Sequence, residues 1–205
     1  MPTNTITPIP GIDLTYENAN IFANIQRLYL DYVQWVRNYL LSVLENVPDQ
    51  SAAGSRFSIQ MSKEIYNALI KYISEEKVLQ YLDIIYKFES GNWSLANAYK
   101  TNDKTGIDLT IKQWFKVADE YAKFLYENFN NLDEMQWRDI LYRYLNLKIQ
   151  EVNAFASGNY DLEIKLYDQV EDIAVEFANS MATAIIKIQH QKNKSPTLER
   201  VYRLR

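Results

Sequence analysis

Residues 108–157 read DLTIKQWFKVADEYAKFLYENFNNLDEMQWRDILYRYLNLKIQEVNAFAS. Apolar or aromatic side chains fall at Ile111, Trp114, Ala118, Tyr121, Leu125 and Phe129. They recur at Trp137, Leu141, Tyr144, Leu147 or Lys148, Val152 and Phe155. Steps of three and four keep one face of an α-helix apolar, and no alternating strand pattern competes. Asn130–Leu132 leaves room for a tight turn. Asp133 has Gln136 three residues on, the capping-box pair that opens a helix. Gly158 suits a left-handed C-terminal cap. The spacing predicts helices over about Asp108–Phe129 and Asp133–Ser157. Long amphipathic helices joined by so short a turn run antiparallel, so the fold is read as an all-α, up-and-down helical bundle.

The same period extends in both directions. Ile21, Ile25, Leu28, Tyr32, Trp35, Tyr39 and Val43 mark a first helix that begins near Glu17 or Asn18 and stops before Pro48. Asp49–Gly54 reads as its terminating stretch, and a shorter helix follows over about Ser58–Ile73. Val78, Tyr81, Leu82, Ile85 and Phe88 form another stripe, interrupted by Ser90-Gly91-Asn92 before Trp93, Leu95 and Ala98. Gly inside a helix costs about 1 kcal/mol relative to Ala, and Ser-Gly-Asn is also a turn sequence. Local signals leave Glu75–Tyr99 as one helix or two. Asn102–Gly106 reads as a loop. A last helix runs from about Asp161 to Gln189, with Tyr167, Val170, Ala174, Phe177, Met181, Ala184 and Ile188 on its seam. The expectation is four long helices plus one or two shorter ones.

Three of the five prolines lie within residues 1–16, which reads as an extended arm. The chain therefore divides into that arm, a single bundle domain over 17–190, and a tail over 191–205. From Lys187 onward six Lys and Arg face Glu199 alone, a local net charge of +5 on a chain of net −4. Self-association through the arm and the basic tail is the expected partnership, since an acidic body attracts such a tail. A net charge this mild predicts no specific nucleic-acid binding, and no apolar run reaches the length of a membrane span. No secretory signal is read in Met1–Leu14, and with no Cys the expectation is a cytoplasmic protein.

Zero Cys and one His exclude disulfides, thiolate metal sites and any site built on two imidazoles. A di-iron bundle site needs paired Glu-x-x-His motifs, which His190 alone does not supply. No G-x-S-x-G accompanies that His, so a hydrolase triad is not expected either. A hard cation held by carboxylates alone would draw on Asp31, Asp119, Glu151, Asp168 and Glu171. No metal and no other cofactor is expected. Sixteen Tyr and four Trp are many for this length, and most fall on the seams. Aromatic packing accounts for that pattern. The functional reading is a partly polar pocket in the bundle centre, lined by Tyr32, Tyr144 and Tyr167, with Glu151 or Glu171 as acceptors. Arg37 and Arg138 stand near seam tryptophans and are expected to pair with acids or stack on rings.

Asp108-Leu-Thr-Ile-Lys-Gln-Trp114 echoes Asp161-Leu-Glu-Ile-Lys-Leu-Tyr167 at an offset of 53 residues. The same offset pairs Asp119 with Asp172 and Phe124 with Phe177. A duplicated helical hairpin produces such an echo, and so does coincidence between two amphipathic helices.

The stretch Leu28–Ile185, about three quarters of the chain, carries a further pattern. Trp35 and Arg37 are followed by Pro48-Asp49, Asn67-Ala68-Leu69, Trp114 with Ala118-Asp119, and Trp137-Arg138 with Leu141-Tyr142. Glu151 and Tyr167-Asp168 with Glu171 complete it. In order and spacing these residues resemble a small all-helical bacterial family of unknown role, often labelled acetylglutamate kinase. The label conflicts with the residues: five scattered glycines form neither a P-loop nor a G-x-G-x-x-G phosphate cradle. Members often carry a His inside three core helices, at places aligned with Tyr32, Phe88 and Tyr144. That alignment runs helix through Ser90-Gly91-Asn92. Aromatics at all three places imply a degenerate, non-enzymatic member with a structural or interaction role. The alternative is a small-molecule binding module using Tyr32, Phe88, Tyr144, Glu151, Tyr167 and Glu171. An enzyme or metal protein relying on carboxylates alone is the third reading.

Overall fold

The computed structural model describes Ile12, residues 15–129 and residues 131–194. Those residues form seven α-helices and no strand. They are α1 (Tyr16–Glu45), α2 (Gln50–Ser55), α3 (Met61–Leu69), α4 (Glu75–Lys100), α5 (Lys104–Asn128), α6 (Glu134–Ala156) and α7 (Tyr160–Lys194). A π-helical stretch, Arg56–Gln60, joins α2 to α3. The all-α bundle is thus the fold, with α1, α4, α5, α6 and α7 as its long members. Each packs on the next in the order α1, α4, α5, α6, α7, and α7 closes the ring back onto α1. Helix α4 also reaches α6 across the centre. The α2–α3 segment leans on α1 and α4.

The element ends have local causes. The Thr15 hydroxyl accepts from the Asn18 amide at 3.2 Å, so α1 begins at Tyr16. The Asp133 carboxylate and Gln136 side chain make both arms of the capping box, at 2.8 and 2.9 Å. Gly158 adopts φ +74° after α6, the left-handed geometry that a Cβ disfavours.

Three boundaries differ from the sequence expectation, and one left open is decided. Helix α2 starts at Gln50, inside the stretch read as terminating. Ser58 and Ser62 hydroxyls donate to the Gly54 and Ser58 carbonyls, at 2.7 and 2.6 Å, and these bonds serve the carbonyls around the π-helical stretch. Helix α5 begins four residues early because the Asp103 carboxylate caps the Gly106 amide at 2.9 Å. Helix α7 continues to Lys194, so the expected tail boundary at 191 falls within it. Finally, α4 runs unbroken through Ser90-Gly91-Asn92. Gly91 lies flat against the Trp114 indole, where an added Cβ would come within 2.6 Å of the ring. Close packing of α4 on α5 offsets the helical cost of that glycine. The expected arm (residues 1–11, 13 and 14) and residues 195–205 of the tail lie outside the described residues.

The echo between α5 and α7 does not give matching environments throughout. Phe124 and Phe177 are both buried. Trp114 is fully buried, whereas Tyr167 is only partly so.

Candidate functional site

Three helices bring Tyr32, Phe88 and Tyr144 to one cavity of about 40 Å³ in the bundle core. Tyr29, Tyr121 and Phe177 also line it. Side chains separated by more than fifty residues in sequence meet because α1, α4 and α6 turn their seams toward the same axis. The hydroxyls of Tyr29, Tyr81 and Tyr121 form a buried chain, Tyr29 to Tyr81 and Tyr81 to Tyr121, the second link at 2.8 Å. Burial holds all three phenols well above their ordinary pKa. They are neutral hydrogen-bonding groups at physiological pH.

Next to the cavity lies a buried polar layer. Lys148 on α6 is fully buried, and its ammonium stands 2.7 Å from Glu151 one turn on. The approach angle is outside hydrogen-bond geometry, so the pair is held by charge. Glu89 on α4 is 2% exposed and accepts from the Asn92 side-chain amide at 2.7 Å. Burial pushes the Glu89 carboxyl up to about 8, against the opposing effects of the Asn92 amide and the Lys148 charge. Arg37 on α1 grips Glu163 on α7 with two bonds of 2.6 and 2.9 Å. The same guanidinium lies 4.7 Å from the centre of the Tyr167 ring.

In this layer Glu89 Oε1 finds no hydrogen-bond partner among the described residues, while the hydroxyls of Tyr144 and Tyr167 have the Asn92 and Glu171 side chains beside them, outside good hydrogen-bond geometry. Buried polar groups are normally satisfied, and each exception calls for a reason. Tyr144 belongs to both the cavity and the polar layer. Burial, with the charges of Glu89 and Glu151, raises its pKa well above 10. Tyr167 is raised by burial and by the nearby Glu171 carboxylate.

The six candidate residues therefore fall into two groups. Tyr32, Phe88 and Tyr144 line the cavity, while Glu151, Tyr167 and Glu171 lie outside its wall. The acceptor role expected of Glu151 is taken up by Lys148. Arg37 pairs with Glu163, an acid not among the candidates, and Arg138 pairs with Asp119 and Glu134. Arg138 is partly exposed, so this second network is a surface one. Of the carboxylate set, Asp31 pairs with Arg27, and Asp168 is exposed. Among the described residues no three His, Asp or Glu side chains gather as a metal-binding group. His190 is exposed, four residues before the end of α7.

Sequence reasoning missed Glu89, Asn92, Lys148 and Glu163. One signal for Lys148 was present: the α6 seam requires either Leu147 or Lys148, and it is the lysine that is buried. Glu89 and Asn92 bracket Gly91, and the doubt over helix continuity there hid which face they share.

No described helix is long and apolar enough to cross a membrane. Comparison with protein-family models, curated proteins and solved structures finds no match.

Proposed function

We propose that this protein is a non-enzymatic binding module that holds a small molecule in the core of its helical bundle. The observation that carries this reading is the juxtaposition at Tyr144. An aromatic cavity adjoins a buried polar layer in which the Glu89 Oε1 atom has no hydrogen-bond partner among the described residues. Packing alone is better served by apolar side chains, because an unpaired buried polar group costs about 1–3 kcal/mol. A ligand supplying donors and acceptors would offset that cost.

The resemblance to the His-bearing family fits the same reading. Its three His places coincide with Tyr32, Phe88 and Tyr144, which all meet at the cavity. Aromatics there suit an organic ligand in place of imidazole chemistry. A purely structural or interaction role is the second reading. It is favoured by the small cavity and by the internal pairing of Lys148 with Glu151 and Arg37 with Glu163. A cytoplasmic location and self-association through the N-terminal arm and basic tail belong to both readings. They are supported by the absence of Cys and by the charge contrast within the chain.

Native mass spectrometry of protein purified without added ligand separates the two. Extra mass that denaturation removes supports the binding module. Bare polypeptide, or bare multiples of it, supports the scaffold and defeats the binding reading.

A further inference from the structure

Resting on the reading of the core cavity as the binding site, we infer what that cavity accepts: a neutral, apolar group of about ethyl size, either a free small molecule or the end of a larger ligand whose polar part lies beyond the wall. Six rings line the space. Ring centres are 6.3 Å apart from Tyr32 to Tyr29, 4.9 Å from Tyr29 to Phe177, and 6.0 Å from Phe177 to Tyr121. The arc continues 5.5 Å from Tyr121 to Phe88 and 5.7 Å from Phe88 to Tyr144. Successive rings stand tilted or edge to face, with 31° to 67° between their planes. Flat, stiff side chains set at such angles hold one another apart and do not fold into the gap between them. The hydroxyl chain from Tyr29 through Tyr81 to Tyr121 pins two of the six. A void among flexible aliphatic chains shrinks as they relax, whereas this one is braced.

The wall decides the chemistry. Apart from the tyrosine hydroxyls, every residue lining the cavity presents a hydrocarbon side chain, Val33, Ile85, Leu141 and Ile173 among them. The hydroxyls of Tyr29 and Tyr121 are engaged with Tyr81, and that of Tyr144 has the Asn92 side chain beside it. No charged side chain among the described residues lines the cavity. A buried water needs about two to four polar partners, which this wall does not offer, so it prefers an apolar guest to water. An ion would lose its hydration with no counter-charge in the wall. An apolar guest gains dispersion contacts with rings and methyl groups. Glu89 lies outside the wall, so only a ligand extending past the rings would meet its unpaired oxygen. Among the lining residues Ile173 alone is partly exposed, which leaves one side chain between the cavity and solvent.

Size sets the upper limit. One water-sized body needs about 10–15 Å³, so a cavity of about 40 Å³ takes roughly two or three heavy atoms. Ethane and a terminal ethyl group both fit that limit.

The test is NMR of the methyl-labelled full chain under rising ethane pressure, with methanol, methylammonium and formate as polar and charged probes of similar size. Saturable shifts are expected from ethane at the methyl groups of Val33, Ile85, Leu141 and Ile173, and none at Leu79, which is exposed on α4. Ala174 lines the cavity, and Ala174→Leu should weaken binding at least tenfold by filling it. Ala174→Val, a milder filling, should weaken it at least threefold and serves should the larger side chain prevent folding. No saturable shift at the cavity methyls overturns the proposal. So does undiminished binding in either folded variant, or saturable binding of a polar or charged probe in place of ethane. Propan-1-ol separates the two sources: its binding beside ethane supports the end of a larger ligand, and its exclusion supports a free guest. Ethane binding by a chain that native mass spectrometry finds bare upholds the apolar cavity and removes the resident ligand. A polar compound carried through purification, with ethane failing, overturns the apolar assignment and leaves the binding module standing.

Discussion

Glu89 offers a direct measurement of what the core does to charge. In the unfolded chain its carboxyl titrates at the ordinary value of 4.5, and in the fold burial raises it to about 8. An acid whose folded pKa is raised makes the fold most stable below the unfolded pKa. That contribution falls as pH climbs between the two values, and the loss levels off above the folded one. Glu89→Gln preserves the shape and an acceptor for the Asn92 amide, bonded at 2.7 Å, but removes the titration. Each pKa unit corresponds to about 1.4 kcal/mol, so wild type should lose about 4 kcal/mol relative to Glu89→Gln between pH 5 and pH 9. Most of that loss should be complete by pH 8. Urea unfolding of both proteins at intervals of half a pH unit, extrapolated to water, yields the difference free of every other titrating group. Parallel stability curves for the two proteins across this range would refute the reasoning. They would mean that Glu89 is solvated, or that Lys148 keeps it ionised in the fold.

Gly91→Ala should lower stability by about 1–3 kcal/mol despite the better helix propensity of Ala, because the new methyl group collides with Trp114. A gain in the thermal midpoint would show that α4 and α5 are less closely packed than described. Arg37→Met strips the counter-ion from the buried Glu163 and should cost about 3–5 kcal/mol in urea unfolding, as breakage of a buried pair does. A loss under about 1 kcal/mol would place that pair in the surface class. A chain ending at Gln189 loses most of the basic tail and should associate more weakly; an unchanged mass by light scattering would dismiss the tail as a contact.

Much of the fold was legible because helices announce themselves within three or four residues. The seams of α5 and α6 were read residue by residue. Trp114, Ala118, Tyr121, Leu125, Phe129, Trp137, Leu141, Tyr144 and Val152 are all buried. The capping box at Asp133 and the left-handed Gly158 are equally local. The start of α5 was misjudged because the Asp103 cap overrode propensity, and the continuity of α4 stayed open because the Gly91–Trp114 contact that settles it is not local.

The site is a different matter. The seam tyrosines could be named, and the family resemblance singled out Tyr32, Phe88 and Tyr144 without saying that they touch. Their meeting at one cavity depends on the rotation and axial register of α1, α4 and α6, which are fixed by side chains on other helices. The pairing of Arg37 with Glu163, 126 residues apart, depends on the same register. Glu89 reads in sequence as an ordinary charge on an amphipathic helix, and Lys148 as one of two candidates for a single seam position. They lie in the core because five helices close around them, and that closure, by removing water, turns a common carboxylate into an acid that titrates near neutrality. The periodicity of this sequence determined a helical bundle with an aromatic seam. Only tertiary packing decided which of its charges lost their water, because desolvation belongs to an environment assembled from distant parts of the chain.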